Sequence, residues 1–209
     1  MEAHTFTTIF LILLANTLLL FIANAQTVST ASSSPPQSQK NFIKTACNST
    51  TDPQFCYKSL SPLASKIQSN PKKLCIYALT QALGTTKTFS SAVKKLKKTK
   101  GITHMDAEII DDCLNNIKDS ISALQQSLST MKALNGTDTE SHLGDIRTWV
   151  SAAITDDDTC TDGFDDEEQT GTQTSSSATL KKQIKKNISA VAKSTSNALA
   201  LINNLSPTY

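Results

Sequence analysis

A run of apolar residues between positions 105 and 131 constrains the fold more than any other feature of this sequence. The run begins with Met105, Ile109 and Ile110. From Cys113 onward its members are four, four, three, four and three positions apart, at Cys113, Ile117, Ile121, Leu124, Leu128 and Met131. On an α-helix this spacing places the side chains along one stripe that faces other helices. Thr103 is the predicted N-cap of this helix, because a threonine at that position can accept from the first free N–H groups.

Three further segments show helical periodicity and complete a bundle. They cover about 71–98, 141–154 and 178–205. No stretch alternates apolar and polar residues over a useful length, so the chain is predicted to be all-α. Because the loops between these segments are short or modest in length, neighbouring helices should run antiparallel. Two shorter helical pieces, broken at Asp52-Pro53, are predicted before the bundle in residues 42–66.

The first two of the five cysteines predict a sharp reversal of the chain if they pair. Cys47 and Cys56 are nine positions apart. On one continuous helix their Cα atoms would lie about 13 Å apart, whereas a disulfide spans at most roughly 7 Å. A bridge between them therefore requires a helical hairpin, and Asp52-Pro53 supplies the turn. Spacing alone leaves open all three ways of pairing two of Cys75, Cys113 and Cys160.

The N-terminal region has the features of an exported protein. Residues 6–22 are mostly apolar and are followed by Ala23-Asn24-Ala25, which fits a secretory cleavage site, so residues 1–25 are predicted to be a signal peptide. Residues 26–40 are rich in Ser, Thr, Pro and Gln and are predicted to form a disordered leader. This leaves 41–209 as one folded domain. The mature chain is predicted to be secreted, with no membrane attachment after cleavage.

Two further features concern the surface of the exported domain. Four Asn-x-Ser/Thr sequons are candidate N-glycosylation sites, at Asn48, Asn135, Asn187 and Asn204. The formal net charge of +2 becomes +3 when Glu2 leaves with the signal peptide. That charge is too small to predict a nucleic-acid-binding protein, and the lysine clusters lack interleaved aromatic residues.

No arrangement in the sequence predicts catalysis, a metal site or a cofactor. Eight carboxylates lie among the thirteen residues 156–168, but an EF-hand alignment puts Cys160 and Gln169 where oxygen ligands are needed. The two histidines outside the signal peptide, His104 and His142, lie near predicted helix starts. There is no nucleophile-elbow sequence and no Gly-rich phosphate loop. The chain is therefore predicted not to be an enzyme.

Three motifs, in this order, resemble the plant invertase inhibitor and pectin methylesterase inhibitor family. The first is Cys47-x8-Cys56 with Asp52-Pro53, and the second is Asp111-Asp112-Cys113. The third is Trp149-Val-Ser-Ala-Ala-Ile154, which leads into Asp158-Thr-Cys160-x-Asp162-Gly-Phe164. The resemblance covers about residues 42–205. It implies an up-down-up-down four-helix bundle preceded by an N-terminal helical hairpin. It also implies two disulfides, Cys47–Cys56 and Cys113–Cys160, which would leave Cys75 as a buried free thiol.

The resemblance further implies a function in the plant cell wall. Such a protein would be a monomer in the apoplast that binds pectin methylesterase in a 1:1 complex and blocks its pectin-binding cleft. The family's contact positions correspond to Thr159, Asp162 and Asp119 here. Asn115 and Ser122 stand at two further positions that are acidic in other members, so Asn115 belongs to the predicted interface without the charge.

Two alternative functions remain open at this stage. The sister activity is inhibition of a cell-wall or vacuolar acid invertase, although the Pro-Lys-Phe segment typical of invertase inhibitors is absent from the sequence. The other alternative is a secreted bundle that binds pectin without inhibiting an enzyme. Two lysine clusters, at 94–100 and 181–186, permit weak contact with acidic pectin, although solvated helix ends are the favoured explanation of both clusters.

Overall fold

The computed structural model of this chain describes residues 37–135 and 138–206. Within them the structure is helical and contains no strand, which confirms the predicted all-α class. The helices are α1 (Gln37–Cys47), α2 (Pro53–Leu60), α3 (Ala64–Ile67), α4 (Pro71–Leu96), α5 (His104–Ala133), α6 (Thr139–Asp158), α7 (Asp162–Thr170) and α8 (Ser175–Asn203). None of these helices is long and apolar enough to cross a bilayer. The predicted signal peptide, residues 1–25, lies outside the described residues.

The N-terminal hairpin folds back at the predicted turn. Asp52 caps α2 by accepting a hydrogen bond from the backbone N–H of Phe55 at 2.9 Å, and Pro53 occupies the first helical turn. The Cys47–Cys56 disulfide joins α1 to α2, with the two Cα atoms 5.6 Å apart. The helix α1 begins at Gln37, so the last four residues of the predicted leader 26–40 are helical. Burial of Ile43 and Cys47 holds this helix against the rest of the domain. A prediction of disorder from composition cannot detect such tertiary contacts.

The hairpin is tied to the last helix by a reciprocal pair of hydrogen bonds. The backbone N–H of Asp52 donates to Oδ1 of Asn197 at 2.9 Å, and Nδ2 of Asn197 donates to the carbonyl of Asp52 at 3.0 Å. Lys193 lies 2.9 Å from the Asp52 carboxylate. The backbone N–H of Phe55 is the main reason that the pKa of Asp52 lies below its usual value, and Lys193 adds to it. The beginning and the end of the domain are therefore joined directly.

The helices α4, α5, α6 and α8 form the predicted up-down-up-down bundle. Lys97, just past the end of α4, pairs with Asp111 near the start of α5 at 2.6 Å. At the other end, Nζ of Lys72 donates to the carbonyl of Leu134 at 2.5 Å. These two contacts fix α4 and α5 as antiparallel. Contacts of α6 with α5 and α8, and of α8 with α4, close the square of four helices.

The apolar stripe on α5 is buried along most of its length. Cys113, Ile117, Leu124 and Met131 are nearly or fully buried, and Ile121 and Leu128 are partly buried against the core. Met105 is an exception, since 51% of its surface is exposed. In the first turn the buried side chain is that of Asp106. Its carboxylate accepts a hydrogen bond from the N–H of Thr103, and the Thr103 hydroxyl oxygen accepts one from the N–H of Asp106. The predicted N-cap is correct, and Met105, the first apolar residue of the run, lies outside the buried stripe.

The acidic segment after α6 folds as a short turn followed by a further helix. A 3₁₀ turn at Thr159–Thr161 carries the Cys113–Cys160 disulfide, whose Cα atoms are 4.2 Å apart. The unpredicted helix α7 follows directly, with Phe164 fully buried. Gly163 permits this close approach, because a Cβ there would lie 2.8 Å from Cγ1 of Ile109 on α5. Both disulfides of the predicted fold are thus present.

Ion pairs fix the other side of α7. Asp165 lies 2.5 Å from Nζ of Lys181 and 3.3 Å from Nζ of Lys185, and Glu168 also pairs with Lys181. The hydrogen bond from Lys181 is the main reason that the pKa of Asp165 is lowered, and the pKa of Lys181 is raised for the same reason. Three carboxylate–ammonium pairs therefore anchor an acidic helix that has only two buried side chains of its own, Phe164 and Glu167.

Cys75 is the free cysteine, and it lies in the core of the hairpin end of the bundle. Its side chain is 1% exposed. Burial raises the pKa of its thiol to about 12, so the reactive thiolate is scarce at neutral pH. The structure therefore supports the expectation that Cys75 acts as a small buried apolar residue.

Asp157 in the last turn of α6 is a buried carboxyl group. It is 1% exposed, and neither of its oxygens has a hydrogen-bond partner of ordinary geometry. Burial raises its pKa from 3.8 to about 7, the nearby Ser120 hydroxyl acts in the opposite direction, and Asp156 and Asp158 raise it further. The fold therefore favours the protonated form of Asp157.

We expect the native oxidised protein to react negligibly with Ellman's reagent. After denaturation without a reductant, one thiol per chain should react, because Cys75 is the single cysteine outside the two disulfides. A Cys75→Ala variant, measured in the same way, should release no thiol in either state. Rapid reaction of the native wild-type protein would contradict the assignment of Cys75 as a protected core residue.

Stability should fall as pH rises because of Asp157. Its pKa is higher in the folded state than in the unfolded chain, so its stabilising contribution is complete below about pH 4 and is lost as pH rises through about 7. Asp157→Asn should remove this loss, which amounts to about 2–4 kcal/mol in the free energy of unfolding. Urea titrations between these pH values measure it. Asp145→Asn, an exposed change on the same helix, should keep the wild-type pH profile, and an equal decline in Asp157→Asn would contradict the assignment.

Candidate functional site

The outer side of the α5–α6 pair brings together most of the predicted interface residues. Nδ2 of Asn116 on α5 donates to Oγ1 of Thr159 at 3.0 Å, and Thr159 donates in turn to the carbonyl of Asp156 at 3.1 Å. Asp119 lies one turn beyond Asn116, close enough to Asp156 for their charges to interact. We name the surface formed by Asn115, Asn116, Asp119, Asp156 and Thr159 the α5–α6 face.

The register between the two helices explains this grouping. Cys113 is bonded to Cys160, Asn116 contacts Thr159, and Asp119 approaches Asp156. As the chain advances along α5 from Cys113 to Asp119, the contacted residue moves backward from Cys160 to Asp156, as antiparallel packing requires. The disulfide sets the register of α6 against α5, and this register brings the polar residues of the α5–α6 face together.

The α5–α6 face carries negative charge in a partly desolvated setting. Burial is the main reason that the pKa of Asp156 is raised, and the charge of Asp119 adds to it. In the part of the chain that the structure describes, neither Asp119 nor Asp156 forms an ion pair. Two carboxylates therefore remain available to a partner with basic or hydrogen-bond-donating groups.

Asn115 and Ser122 extend the same stripe of α5. They lie four residues before and three residues after Asp119, so all three side chains share one side of the helix, and all three are exposed. At these two positions the stripe offers an amide and a hydroxyl group in place of charge. The stripe thus combines one carboxylate with neutral polar groups.

Asp162 stands slightly apart from the other predicted interface residues. It is the first residue of α7 and is exposed, just after the 3₁₀ turn that begins at Thr159. It is linked to the α5–α6 face through this turn rather than through a side-chain contact among those the structure records. The Cys113–Cys160 disulfide and the approach of Gly163 to Ile109 hold the turn against α5.

Two residues of this site were missed by the sequence analysis. Asp156 belonged to the acidic run and could have been selected from it, but Asn116 gave no signal of its own. Its role depends on the register of α5 against α6, which no local pattern contains. The other predicted surface positions, the sequon residues Asn48, Asn135, Asn187 and Asn204, are all exposed.

The chemistry of this surface is that of recognition. It offers carboxylates, an amide and hydroxyl groups held on two helices joined by a disulfide. In residues 37–135 and 138–206, no group of three or more His, Cys, Asp or Glu side chains is placed to hold a metal ion. An arrangement of this kind can donate and accept hydrogen bonds across a protein–protein interface.

Comparison with known proteins places the whole domain in one family. The sequence profile described as plant invertase/pectin methylesterase inhibitor matches residues 41–201. Pectinesterase inhibitor 4 of Arabidopsis thaliana is 39% identical over 198 residues, with 92% of this chain and 96% of the relative covered. The 21 kDa protein of Daucus carota is 38% identical over 194 residues, with 91% and 95% covered.

A third relative agrees with this placement, and a solved structure has a similar fold. Pectinesterase inhibitor 10 of Arabidopsis thaliana is 40% identical over 170 residues, and this chain spans about half of its length, with 80% of the chain and 52% of the relative covered. The crystal structure of a mutant form of a pectin methylesterase inhibitor from Arabidopsis has a TM-score of 0.52 at 20% identity, over 78% of this chain and 97% of that one, which supports the fold. The chain belongs to the plant invertase/pectin methylesterase inhibitor family.

Proposed function

We propose that this protein is a secreted inhibitor of pectin methylesterase. In this proposal the α5–α6 face and Asp162 contact the esterase in a 1:1 complex and cover its pectin-binding cleft. The observation that carries the proposal is the rigid, exposed, partly acidic α5–α6 face, in which Thr159 and Asp119 lie within one hydrogen-bonded and electrostatically coupled group. Two of the similar relatives are named pectinesterase inhibitors, which supports the choice of target.

The inhibitor would act by occlusion and not by chemistry. A bundle that is cross-linked at Cys113–Cys160 presents its polar groups without first having to order them. Preorganisation of this kind lowers the entropic cost of association. A polymer substrate needs an extended cleft, so a folded domain seated across that cleft excludes it. The proposal includes a monomeric inhibitor that binds the esterase at a single site.

Export to the cell wall is part of the proposal. Residues 1–25 have the pattern of a signal peptide, and two disulfides suit the oxidising secretory pathway. We propose cleavage after Ala25, a leader that follows it, and an inhibitor domain that reaches to residue 209. Asn48, Asn135, Asn187 and Asn204 are exposed candidates for N-glycosylation.

The direct test is a titration of enzyme activity with the purified, oxidised mature chain between about pH 5 and pH 7.5, the range over which a carboxyl group with a strongly raised pKa, such as Asp157, loses its proton. Pectin methylesterase should lose activity in proportion to the inhibitor added, and a plant acid invertase assayed alongside should not. Loss of invertase activity alone would transfer the function to the sister target. No effect on either enzyme would leave a pectin-binding bundle as the remaining function.

The double substitution Thr159→Ala with Asp162→Ala should weaken inhibition by roughly tenfold to a hundredfold, since each polar interface group contributes about 1 kcal/mol or somewhat more. The melting temperature should hardly change, because both side chains are exposed. Inhibition constants and thermal melts measure the two quantities.

Thr80→Ala with Asp138→Ala is a matched control. It removes the same two side-chain types at exposed positions away from the α5–α6 face, and it should leave the inhibition constant unchanged. If the test and control variants inhibit as well as the wild type, Thr159 and Asp162 do not belong to the interface.

A further inference from the structure

The antiparallel packing of α4 and α8 brings two separate lysine clusters to one end of the bundle. The hydroxyl groups of Thr85 and Ser194 meet at 2.6 Å and mark a common level on the two helices. From this level, Lys95 lies about 15 Å toward the end of α4, while Lys186 and Lys182 lie about 12 and about 18 Å toward the start of α8. Lys182 and Lys186, which are 87 and 91 positions from Lys95 in sequence, thus lie within about 3 Å of its level along the bundle.

A groove between α4 and α8 leads toward these lysines. It has a volume of about 410 Å³ and is lined by Gln81, Gly84, Thr85, Thr88, Phe89, Ala92, Asn187 and Ala190. Most of the surface that the groove exposes is apolar, and its polar groups are the hydroxyl and amide groups of Gln81, Thr85, Thr88 and Asn187, with no carboxylate among the lining residues. On helices, Lys95 continues the stripe of Ala92, and Lys186 continues the stripe of Ala190. We name this groove and its lysines the α4–α8 groove.

Several lysines at this end have no acidic partner. The nearby carboxylates are engaged elsewhere: Asp111 pairs with Lys97, and Asp165 and Glu168 pair with Lys181 and Lys185. Among the described residues, no ion pair is recorded for Lys94, Lys95, Lys98, Lys182 or Lys186, and all five are exposed. The acidic helix α7 therefore neutralises one side of the lysine cluster and leaves positive charge beside the groove.

We propose that the α4–α8 groove binds a linear polyuronate, with sugar hydroxyls in the groove and sugar carboxylates on Lys95, Lys182 and Lys186. Hydroxyl and amide side chains suit the hydrogen bonding of sugars, and lysine ammonium groups act as mobile point charges toward carboxylates. The groove lacks exposed aromatic rings on which nucleobases could stack, which favours a polysaccharide over a nucleic acid. The choice of demethylated pectin as the natural polyuronate rests on the proposed function.

The two binding surfaces lie on different sides of the molecule. In the four-helix square, α4 and α8 are neighbours, and α5 and α6 are neighbours on the opposite side. Polymer in the α4–α8 groove would therefore leave the α5–α6 face open. Because esterase action creates the carboxylates that the groove recognises, the inhibitor would accumulate on wall regions that have already been demethylated.

The sequon at Asn187 bears directly on this proposal. Asn187 lines the groove, and its Nδ2 donates to the carbonyl of Gln183 at 2.8 Å. A glycan attached there would extend over the groove and compete with the polymer. The test therefore uses the mature chain with Asn187→Gln, so that the groove is free of sugar.

Binding of polygalacturonate should be measured in the absence of any esterase, by affinity electrophoresis or calorimetry. The chain should bind at about 0.05 M salt, weaken markedly by about 0.3 M, and fail to bind fully methylesterified polymer. Adding Lys95→Gln, Lys182→Gln and Lys186→Gln should weaken binding roughly tenfold. A charge-matched control, Lys44→Gln with Lys58→Gln and Lys66→Gln, alters exposed lysines of the N-terminal hairpin and should change affinity little.

Equal losses in the two triple variants would overturn the proposal, since net charge alone would then explain binding. Equal affinity for the methylesterified polymer, or tighter binding of polyuridylate than of polygalacturonate, would overturn it as well. Esterase inhibition by the groove variant should match that of the wild type, because the three lysines lie away from the α5–α6 face. Polymer binding without esterase inhibition would refute the proposed function while leaving the groove assignment intact.

Discussion

The contact between the end of α6 and the long helix α5 determines where every residue of the candidate site lies. The Cys113–Cys160 disulfide sets the register of α6 against α5. Because Gly163 has no side chain, the start of α7 can approach Ile109 closely. Phe164 then closes this part of the core. Because three different constraints act within a few residues, the turn that carries Thr159 and Asp162 cannot shift along α5 without breaking at least one of them. The rigidity of the surface thus comes from the core beneath it.

Charge is distributed over the bundle by helix pairing rather than by net composition. The carboxylates of Asp119 and Asp156 meet across α5 and α6, while unpaired lysines collect beside α4 and α8. The helix α7 lies between α6 and α8 in sequence, and its acidic residues pair with Lys181 and Lys185 of α8. A net charge of only +2 therefore conceals two surfaces of opposite sign, each suited to a different kind of partner.

The sequence predicts well those features that depend on local patterns. The apolar stripe of α5, the Thr103 cap and the reversal at Asp52-Pro53 each follow from spacing within a few turns, and the structure has all three. It predicts poorly what depends on partners distant in the chain. The helix α7 has an acidic, weakly apolar sequence and is held by Phe164 and by lysines of α8, so its own residues gave little sign of it. The pairing of Asn116 with Thr159 likewise exists only once the register of two helices is set.

The bond pair between Asp52 and Asn197 has a consequence for how the chain matures as it is exported. The two residues are 145 positions apart, so this pair of hydrogen bonds cannot form until almost the entire chain has emerged. Cys47 and Cys56 can join early, since they are only nine positions apart, whereas Cys113 must wait for Cys160. Cys75 emerges during this interval, ahead of Cys113. Cys75 lies on α4 and is buried in the core. Early packing of α4 against the hairpin would bury this odd thiol before it could form a disulfide with the wrong cysteine. The order in which the cysteines emerge would thereby favour the correct pattern of disulfides.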